Sequence, residues 1–244
     1  MQNKFAVVAL ILFTCPIQSI VAQEEPAASW TGRAEFGLDG QTGNSERLSL
    51  KGLVRTTRAT DFARLSLYLR GQFEETAGER SKNEIIAGTK YERDLSERTF
   101  AFLHLELERD EFEDLDLRST LTAGLGYFLI RAETHELKIR AGPSYQHEEL
   151  DDGSTTDNLL AGLGYDYRLD LNERIRFTST LSYFFNATEV DDWRLTAENA
   201  AEIPISTDAA WKLRLGIRNA YDALPQPGVE RLDTSYFTTL TYDW

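Results

Sequence analysis

The sequence predicts an all-β protein, an up-and-down antiparallel transmembrane β-barrel of 12 strands. Three observations lead to this prediction. Apolar and polar residues alternate along twelve successive segments, short turns alternate with longer polar connections, and aromatic residues gather at the ends of the apolar faces. Strict alternation is the period of a strand whose two faces meet different surroundings.

Each predicted strand has one apolar and one polar face. In the first, Trp30, Ala34 and Phe36 alternate with Arg33 and Glu35. The same pattern recurs to the end of the chain, at 30–39, 47–55, 63–73, 85–91, 101–107, 117–129, 137–145, 159–167, 175–185, 193–203, 211–217 and 235–244. Some polar faces also hold an apolar residue: Leu53, Phe100, Phe102 and Phe128.

The connections alternate in length. Short turns are expected at 57–61, 94–98, 131–135, 170–174 and 206–210. Longer polar loops are expected at 40–46, 74–84, 109–116, 148–157, 188–192 and 222–231. Strands joined in series in this way form a meander that can close on itself. An even strand number leaves both ends of the barrel segment on the short-turn side, as in outer-membrane barrels.

Alternation alone does not say which face points outward, since a soluble barrel buries its apolar face and a membrane barrel turns it toward lipid. Aromatic residues at both ends of the apolar faces favour the membrane barrel, because such residues form girdles at the two interfaces. The polar faces carry charges of both signs, which indicates a wet lumen. The residues predicted to line it are Arg33, Glu35, Lys51, Arg70, Lys90, Glu92, His104, Glu106, Arg118, Arg140, Arg176, Glu198 and Arg214.

Two states of this lumen are compatible with the sequence. The inward Arg and Glu side chains could pair across the lumen and seal it, or they could line a path for small solutes. Inward glycines are expected to make room: Gly88, Gly124, Gly126, Gly142, Gly162, Gly164 and Gly216.

Composition and the N-terminus indicate export. The chain has 26 Lys and Arg against 40 Asp and Glu, a net charge of −14, so no nucleic-acid partner is expected. Lys4, the apolar run 5–13 and Pro16 predict a signal peptide over 1–22 that is cleaved after Ala22. A short segment, 23–29, then leads into the barrel at 30–244. The expected location is the cell outer membrane.

The histidines are the scarcest groups that could perform catalysis. His104 shares a polar face with Glu106 and Glu108, which could form a metal site or an acid–base pair, although a hydrogen-bond network is the favoured interpretation. His147 lies near the long-loop rim, where a lipid hydrolase would need a serine partner, and no serine stands out. No cofactor and no metal site are predicted.

The polar connections suggest one further partner. Those at 109–116, 148–157 and 188–192 are acidic, and they form either a solvated rim or a surface that divalent cations bridge to lipopolysaccharide phosphates. Outer-membrane lipid and lipopolysaccharide are therefore the expected surroundings.

The last strand ends on an aromatic residue. Pairing the last strand with the first would remove both edges of the sheet. This ending resembles the C-terminal signal that the barrel assembly machinery reads in outer-membrane proteins. The residues that carry the resemblance are Tyr236, Leu240, Tyr242 and Trp244.

Four stretches resemble the "domain of unknown function 481" family, described as salt-induced outer-membrane proteins of Gram-negative bacteria. They are "WTGRAEFGLDGQTGNSERLSLKG" (30–52), "GTKYERDLSERTFAF" (88–102), "ERDEFEDLDLRSTLTAGLGYFL" (108–129) and "RAGPSYQHEEL" (140–150). The resemblance implies a barrel in the outer membrane, with no assigned activity. The leading hypothesis is a narrow pore or an envelope-adaptation protein of the osmotic or salt response. The alternatives are a barrel enzyme acting on lipid or lipopolysaccharide, and a structural or adhesive barrel.

Overall fold

The computed structural model describes residues 29–41, 47–172, 174–189, 191–225 and 230–244. Within these ranges, twelve strands form a closed barrel in which every strand is antiparallel to both neighbours and the last pairs with the first. The prediction of an all-β, 12-stranded up-and-down barrel is confirmed. None of the described residues form a helix long and apolar enough to cross a membrane. The predicted signal peptide, 1–22, lies outside the described residues.

The strands are β1 (Trp30–Gln41), β2 (Arg47–Ala59), β3 (Ala63–Thr76), β4 (Glu79–Asp94), β5 (Thr99–Asp110), β6 (Leu115–Arg131), β7 (His135–Leu150), β8 (Thr155–Asn172), β9 (Ile175–Asn186), β10 (Trp193–Pro204), β11 (Trp211–Asp222) and β12 (Leu232–Asp243). A single 3₁₀ turn, Glu111–Glu113, separates β5 from β6.

The prediction of a long loop at 74–84 is wrong. Strands β3 and β4 continue through this polar stretch and are joined by only Ala77 and Gly78, with φ of 54° and 82°. Two consecutive residues with positive φ suit the right-handed twist of a hairpin. The alternation disappears here because water can surround both faces of a strand that extends beyond an apolar layer.

The barrel closes along a short seam between β1 and β12. Their register runs from Arg33 opposite Asp243 to Phe36 opposite Leu240. At its end, the Gly32 N–H donates to the Trp244 carbonyl at 2.8 Å, and the Trp244 N–H donates back at 3.0 Å. The Trp244 ring lies where a side chain at residue 32 would be, so this glycine makes room for the last aromatic residue.

The apolar face of the sheet points outward. Leu38, Leu69 and Leu125 are each more than half exposed on this outer surface. Aromatic rings cluster at both ends of it. Trp193 stacks on Tyr221 with ring centroids 4.6 Å apart at the long-loop end. At the short-turn end, the Tyr242 ring packs against the rings of Trp211 and Trp244.

Inward glycines do not widen the lumen as expected. Four of them lie directly opposite an inward aromatic residue on the neighbouring strand, and the ring occupies the space above the glycine. The pairs are Gly88 with Tyr68, Gly126 with Phe100, Gly162 with Phe184, and Gly216 with Phe237. Cross-strand aromatic rings commonly compensate for glycine in this way. Phe100, Phe102 and Phe128 form the buried apolar cluster of the described chain.

Strands β6 and β7 approach each other closely at two facing glycines, Gly124 and Gly142. The strand pairing is interrupted, without a change of register, between the pairs Thr122–Ser144 and Leu125–Ala141. Pro143 lies in this gap, where it need not supply the backbone N–H that it lacks. A methyl group on Gly142 would clash with the carbonyl oxygen of Ala123.

We therefore expect Gly142→Ala to destabilise the barrel. The obstacle is backbone rather than a movable side chain, and overpacking of this kind costs about 1–3 kcal/mol. Unfolding in urea from lipid vesicles measures the change. Gly71→Ala is the control, since its added carbon would lie 3.9 Å from its nearest neighbour. Equal stability of the two variants would contradict the close approach.

Candidate solute pathway in the barrel lumen

The lumen contains a cavity of about 650 Å³. Eleven of the thirteen residues predicted to line the lumen lie on its wall: Arg33, Glu35, Lys51, Arg70, Lys90, Glu92, His104, Glu106, Arg140, Glu198 and Arg214. Arg118 is instead in an ion-pair cluster at the long-loop end, and Arg176 pairs with Asp170 at the short-turn end.

The cavity wall is basic although the chain is acidic. Eleven Lys and Arg residues line it against seven Asp and Glu, whereas the whole chain has a net charge of −14. Walls of one prevailing charge in a low-dielectric surround focus the electrostatic potential. Arg55, Tyr68 and Asp166 also line the cavity and were not among the predicted residues. In the sequence, only their positions on the polar faces of the strands indicated that these three residues point into the lumen.

One cluster of ion pairs joins β4 to β7 and β8. The Lys138 ammonium donates to both carboxylate oxygens of Glu92, at 3.0 and 3.1 Å. Lys90 lies 2.9 Å from Glu92 and 3.5 Å from Asp166, which also accepts from Arg140 at 2.6 Å. Because β4 and β8 are four strands apart in the closed order, these pairs cut across the lumen.

A second cluster spans the seam. Arg33 on β1 donates to Glu202 on β10 at 2.5 Å and to Asp243 on β12 at 2.7 Å. Lys212 also donates to Asp243, and Arg214 donates to Glu198 at 2.6 Å. Glu202 is only 1% exposed, so its charge depends on these partners. The cluster therefore crosses part of the lumen and also fastens the barrel closed.

A third cluster lies at the long-loop end. Arg118 donates to Glu148 at 2.6 Å and to Glu108 at 2.9 Å. Arg194 on β10 reaches the same Glu148 on β7 at 3.2 Å. The pair of Arg194 and Glu148 therefore also joins two strands, β10 and β7, that are not neighbours in the sheet.

His104 belongs to a hydrogen-bond network, as favoured from the sequence. The Tyr68 hydroxyl lies 2.7 Å from Nε2 of His104 and donates to Glu106 at 2.5 Å. Glu108 instead accepts from Arg118, so the three residues do not converge on one point. Among the described residues, no group of three or more acidic, His or Cys side chains is arranged to hold a metal ion.

His147 lies on the outer surface near the long-loop rim. Its Nδ1 is 2.8 Å from Asp157, whose same oxygen accepts from the Tyr145 hydroxyl at 2.6 Å. Among the described residues, the His147 imidazole is therefore oriented by Asp157 and has no serine as a hydrogen-bond partner.

The remaining predicted sites lie at the two ends of the barrel. The residues predicted to form the C-terminal signal are exposed on the outer surface: Tyr236, Leu240 and Tyr242 of β12 and Trp244, which follows it. In the acidic connections, Glu111 pairs with Arg80 at 3.0 Å. Hydrogen bonds from Ser154 lower the pKa of Asp152, which keeps this carboxylate charged. Divalent cation binding at this rim stays a prediction.

We expect Arg33→Gln to destabilise the barrel by about 3 kcal/mol, because Glu202 would lose its shortest contact while remaining buried. Replacing both residues, Arg33→Gln with Glu202→Gln, should cost less than the sum of the two single changes. Urea unfolding from lipid vesicles measures all three variants.

The control for this test is an exposed pair, Arg109 and Asp116, 3.4 Å apart. Arg109→Gln should change the free energy of unfolding by less than about 1 kcal/mol. If Arg33→Gln were as harmless as Arg109→Gln, the seam would not depend on this ion pair.

Comparisons with known proteins agree with the barrel. The chain is 22% identical over 227 residues to the uncharacterized protein YdiY of Escherichia coli strain K12, covering 90% of this chain and 86% of that protein. Among solved structures, it is similar to the NanC porin with a TM-score of 0.54 at 8% identity, covering 88% of this chain and 98% of the porin.

Two further structures share the fold. The translocator domain of the autotransporter NalP from Neisseria meningitidis has a TM-score of 0.54 at 14% identity, covering 89% of this chain and 90% of that domain. The COG4313 outer membrane channel from Pseudomonas putida F1 has a TM-score of 0.53 at 11% identity, covering 93% of this chain and 99% of that channel. At these identities the likeness concerns the fold, which is that of bacterial outer-membrane barrels.

The sequence model of the family described as "Protein of unknown function, DUF481" matches residues 34–244, from the first strand to the last residue. The resemblance carried by the four quoted stretches is thereby confirmed, and the chain is a member of the DUF481 family.

Proposed function

We propose that the protein is a narrow outer-membrane channel for small hydrophilic solutes. The observation that carries this proposal is the cavity of about 650 Å³ inside a closed barrel, lined by charged and hydroxyl side chains. An apolar outer surface with aromatic clusters at both ends suits a lipid bilayer. Structural relatives described as a porin and an outer membrane channel support the same role.

The lumen is narrow because side chains cross it. Ion pairs that join strands β4 to β8 and β1 to β10 reduce the free cross-section of a 12-stranded barrel. Inward rings such as Phe100 and Phe237 fill further space. Such a lumen passes small solutes and excludes large ones. Salt weakens ion pairs that contact water, which would link the channel to envelope adaptation under osmotic or salt stress.

Location and assembly form part of the proposal. The segment 1–22 directs export and is removed, and the strand carrying Tyr236, Leu240, Tyr242 and Trp244 is read by the barrel assembly machinery. The folded barrel then lies among outer-membrane lipid and lipopolysaccharide. Of the two alternatives, lipid hydrolysis would require a nucleophile beside His147. Adhesion would have to rely on connections as short as Ala77–Gly78.

We expect the chain from Gln23 onward, refolded and inserted into a planar bilayer, to give small and discrete current steps. The double change Lys90→Ser with Asp166→Ser should increase the step size, because it removes a pair that crosses the lumen at constant net charge. A heat-dependent shift in gel mobility confirms that each variant is a closed barrel.

The matched control is Arg80→Ser with Glu111→Ser, an exposed pair at the long-loop end. It should leave the step size nearly unchanged. A folded barrel that gives no current, both with and without the lumen pair, would overturn the channel proposal in favour of a sealed barrel.

A further inference from the structure

We propose that Lys51, Arg55 and Arg70 form a binding site for small oxyanions, so that the channel selects solutes carrying a carboxylate or phosphate group. We call these three residues the cation ladder. The inference names the solute class of the proposed channel and rests on that function. It concerns the wall formed by β2 and β3, where Arg55 lies directly opposite Arg33 of the second ion-pair cluster on the neighbouring strand β1.

The register of β2 and β3 sets the three cations in a staggered column. Arg70 lies opposite Leu53, so Lys51 and Arg55 are its diagonal neighbours on the same inward face. Diagonal neighbours on a sheet are about 7–8 Å apart, within reach of long side chains. All three line the cavity. A solute moving along this wall would meet successive positive charges.

The ladder differs from most of the other lumen cations, which contact carboxylates; Arg218 on β11 is the exception among the described lining residues. Arg33, Lys90, Arg140 and Arg214 each contact one or more carboxylates within 3.5 Å. Lys51, Arg55 and Arg70 make no ion pair and no side-chain hydrogen bond with the described residues. The Arg55 guanidinium only lies near the Tyr68 ring, 5.7 Å from its centroid. Unpaired charges in a low-dielectric enclosure favour a mobile anion as counterion.

The carboxylates that line the cavity near the ladder have partners of their own. Glu35 and Glu198 contact Arg214 at 3.4 and 2.6 Å, and Glu106 accepts from Tyr68 at 2.5 Å. Glu84, which is buried and diagonal to Arg70 on β4, does not line the cavity and forms no ion pair with Arg70. The diametrically opposite strand, six positions from β3 in the closed order, is β9. Its inward side chains in the cavity include the hydroxyls of Thr178, Thr180 and Ser182.

The chemistry of the ladder defines the ligand. Two guanidinium groups offer planar pairs of N–H donors that match the oxygens of a carboxylate or phosphate, and an ammonium adds a point charge. Chloride can be attracted by the same potential but cannot accept such a paired set of bonds. The site should therefore bind oxyanions more tightly than it binds chloride.

The test compares the refolded full barrel with Arg55→Gln plus Arg70→Gln. In a bilayer under a potassium chloride gradient, the reversal potential should show preference for chloride over potassium. That preference should fall by at least about threefold in the variant. The control, Arg58→Gln plus Arg93→Gln, makes the same charge change at outward-facing, exposed positions. This control should leave the preference for chloride over potassium unchanged. The variant Arg55→Lys plus Arg70→Lys should also leave it unchanged, because it keeps both positive charges.

A second readout does not need conduction. Titration calorimetry of the detergent-folded barrel with inorganic phosphate, in chloride buffer, should show binding that the Gln variant loses. Competition by gluconate would show that the site takes carboxylates as well as phosphate, and its failure would restrict the site to phosphate. Removing unpaired like charges should not impair folding, so a closed barrel is expected for the variant.

The outcomes separate the two proposals. Phosphate binding that depends on Arg55 and Arg70, without any current, would support the site while the channel proposal fails. Currents that prefer cations, or that keep their selectivity in the Gln variant while phosphate does not bind, would overturn the site and leave the channel. Equal phosphate binding by the native barrel and the Gln variant would also overturn it.

Discussion

The closure of the sheet between β1 and β12 is the constraint on which the rest of the structure depends. A membrane offers no water to the backbone groups at a sheet edge, so a spanning sheet must pair its last strand with its first. The paired register of this seam is short, from Arg33 to Phe36. Arg33 strengthens it by binding both Asp243 on β12 and Glu202 on β10. Closure and the charged lumen are therefore parts of one arrangement.

Closure also gives the two faces of every strand different roles. Apolar side chains cover most of the outside, and the charged side chains that point into the lumen must find partners or remain exposed to trapped water. Pairs such as Lys138 with Glu92 connect distant strands, so they narrow the lumen while they stabilise the wall. Lys51, Arg55 and Arg70 on β2 and β3 are left without such partners among the described residues. An acidic chain thus encloses a basic cavity.

The alternation of the sequence was sufficient to predict the strand number, the order of the strands and the inward position of residues such as Arg33 and Lys90. It could not predict the extension of β3 and β4 across 74–84, because alternation fades where both faces are polar. Nor could it predict that Phe100 covers Gly126, since this depends on the register between strands. The ion-pair partners depend on contacts between strands far apart in sequence, such as Arg33 and Glu202, for which a single sequence carries no local signal.

The most direct test of this account asks which face of the sheet meets water. Cys15, the chain's single cysteine, precedes the barrel, so single cysteines can be placed in a chain that starts at Gln23. With the barrel in lipid vesicles, a small charged thiol reagent should modify Thr180→Cys in the cavity and spare Leu69→Cys on the outer face. Modification of Leu69→Cys with protection of Thr180→Cys would contradict a wet lumen inside an apolar barrel.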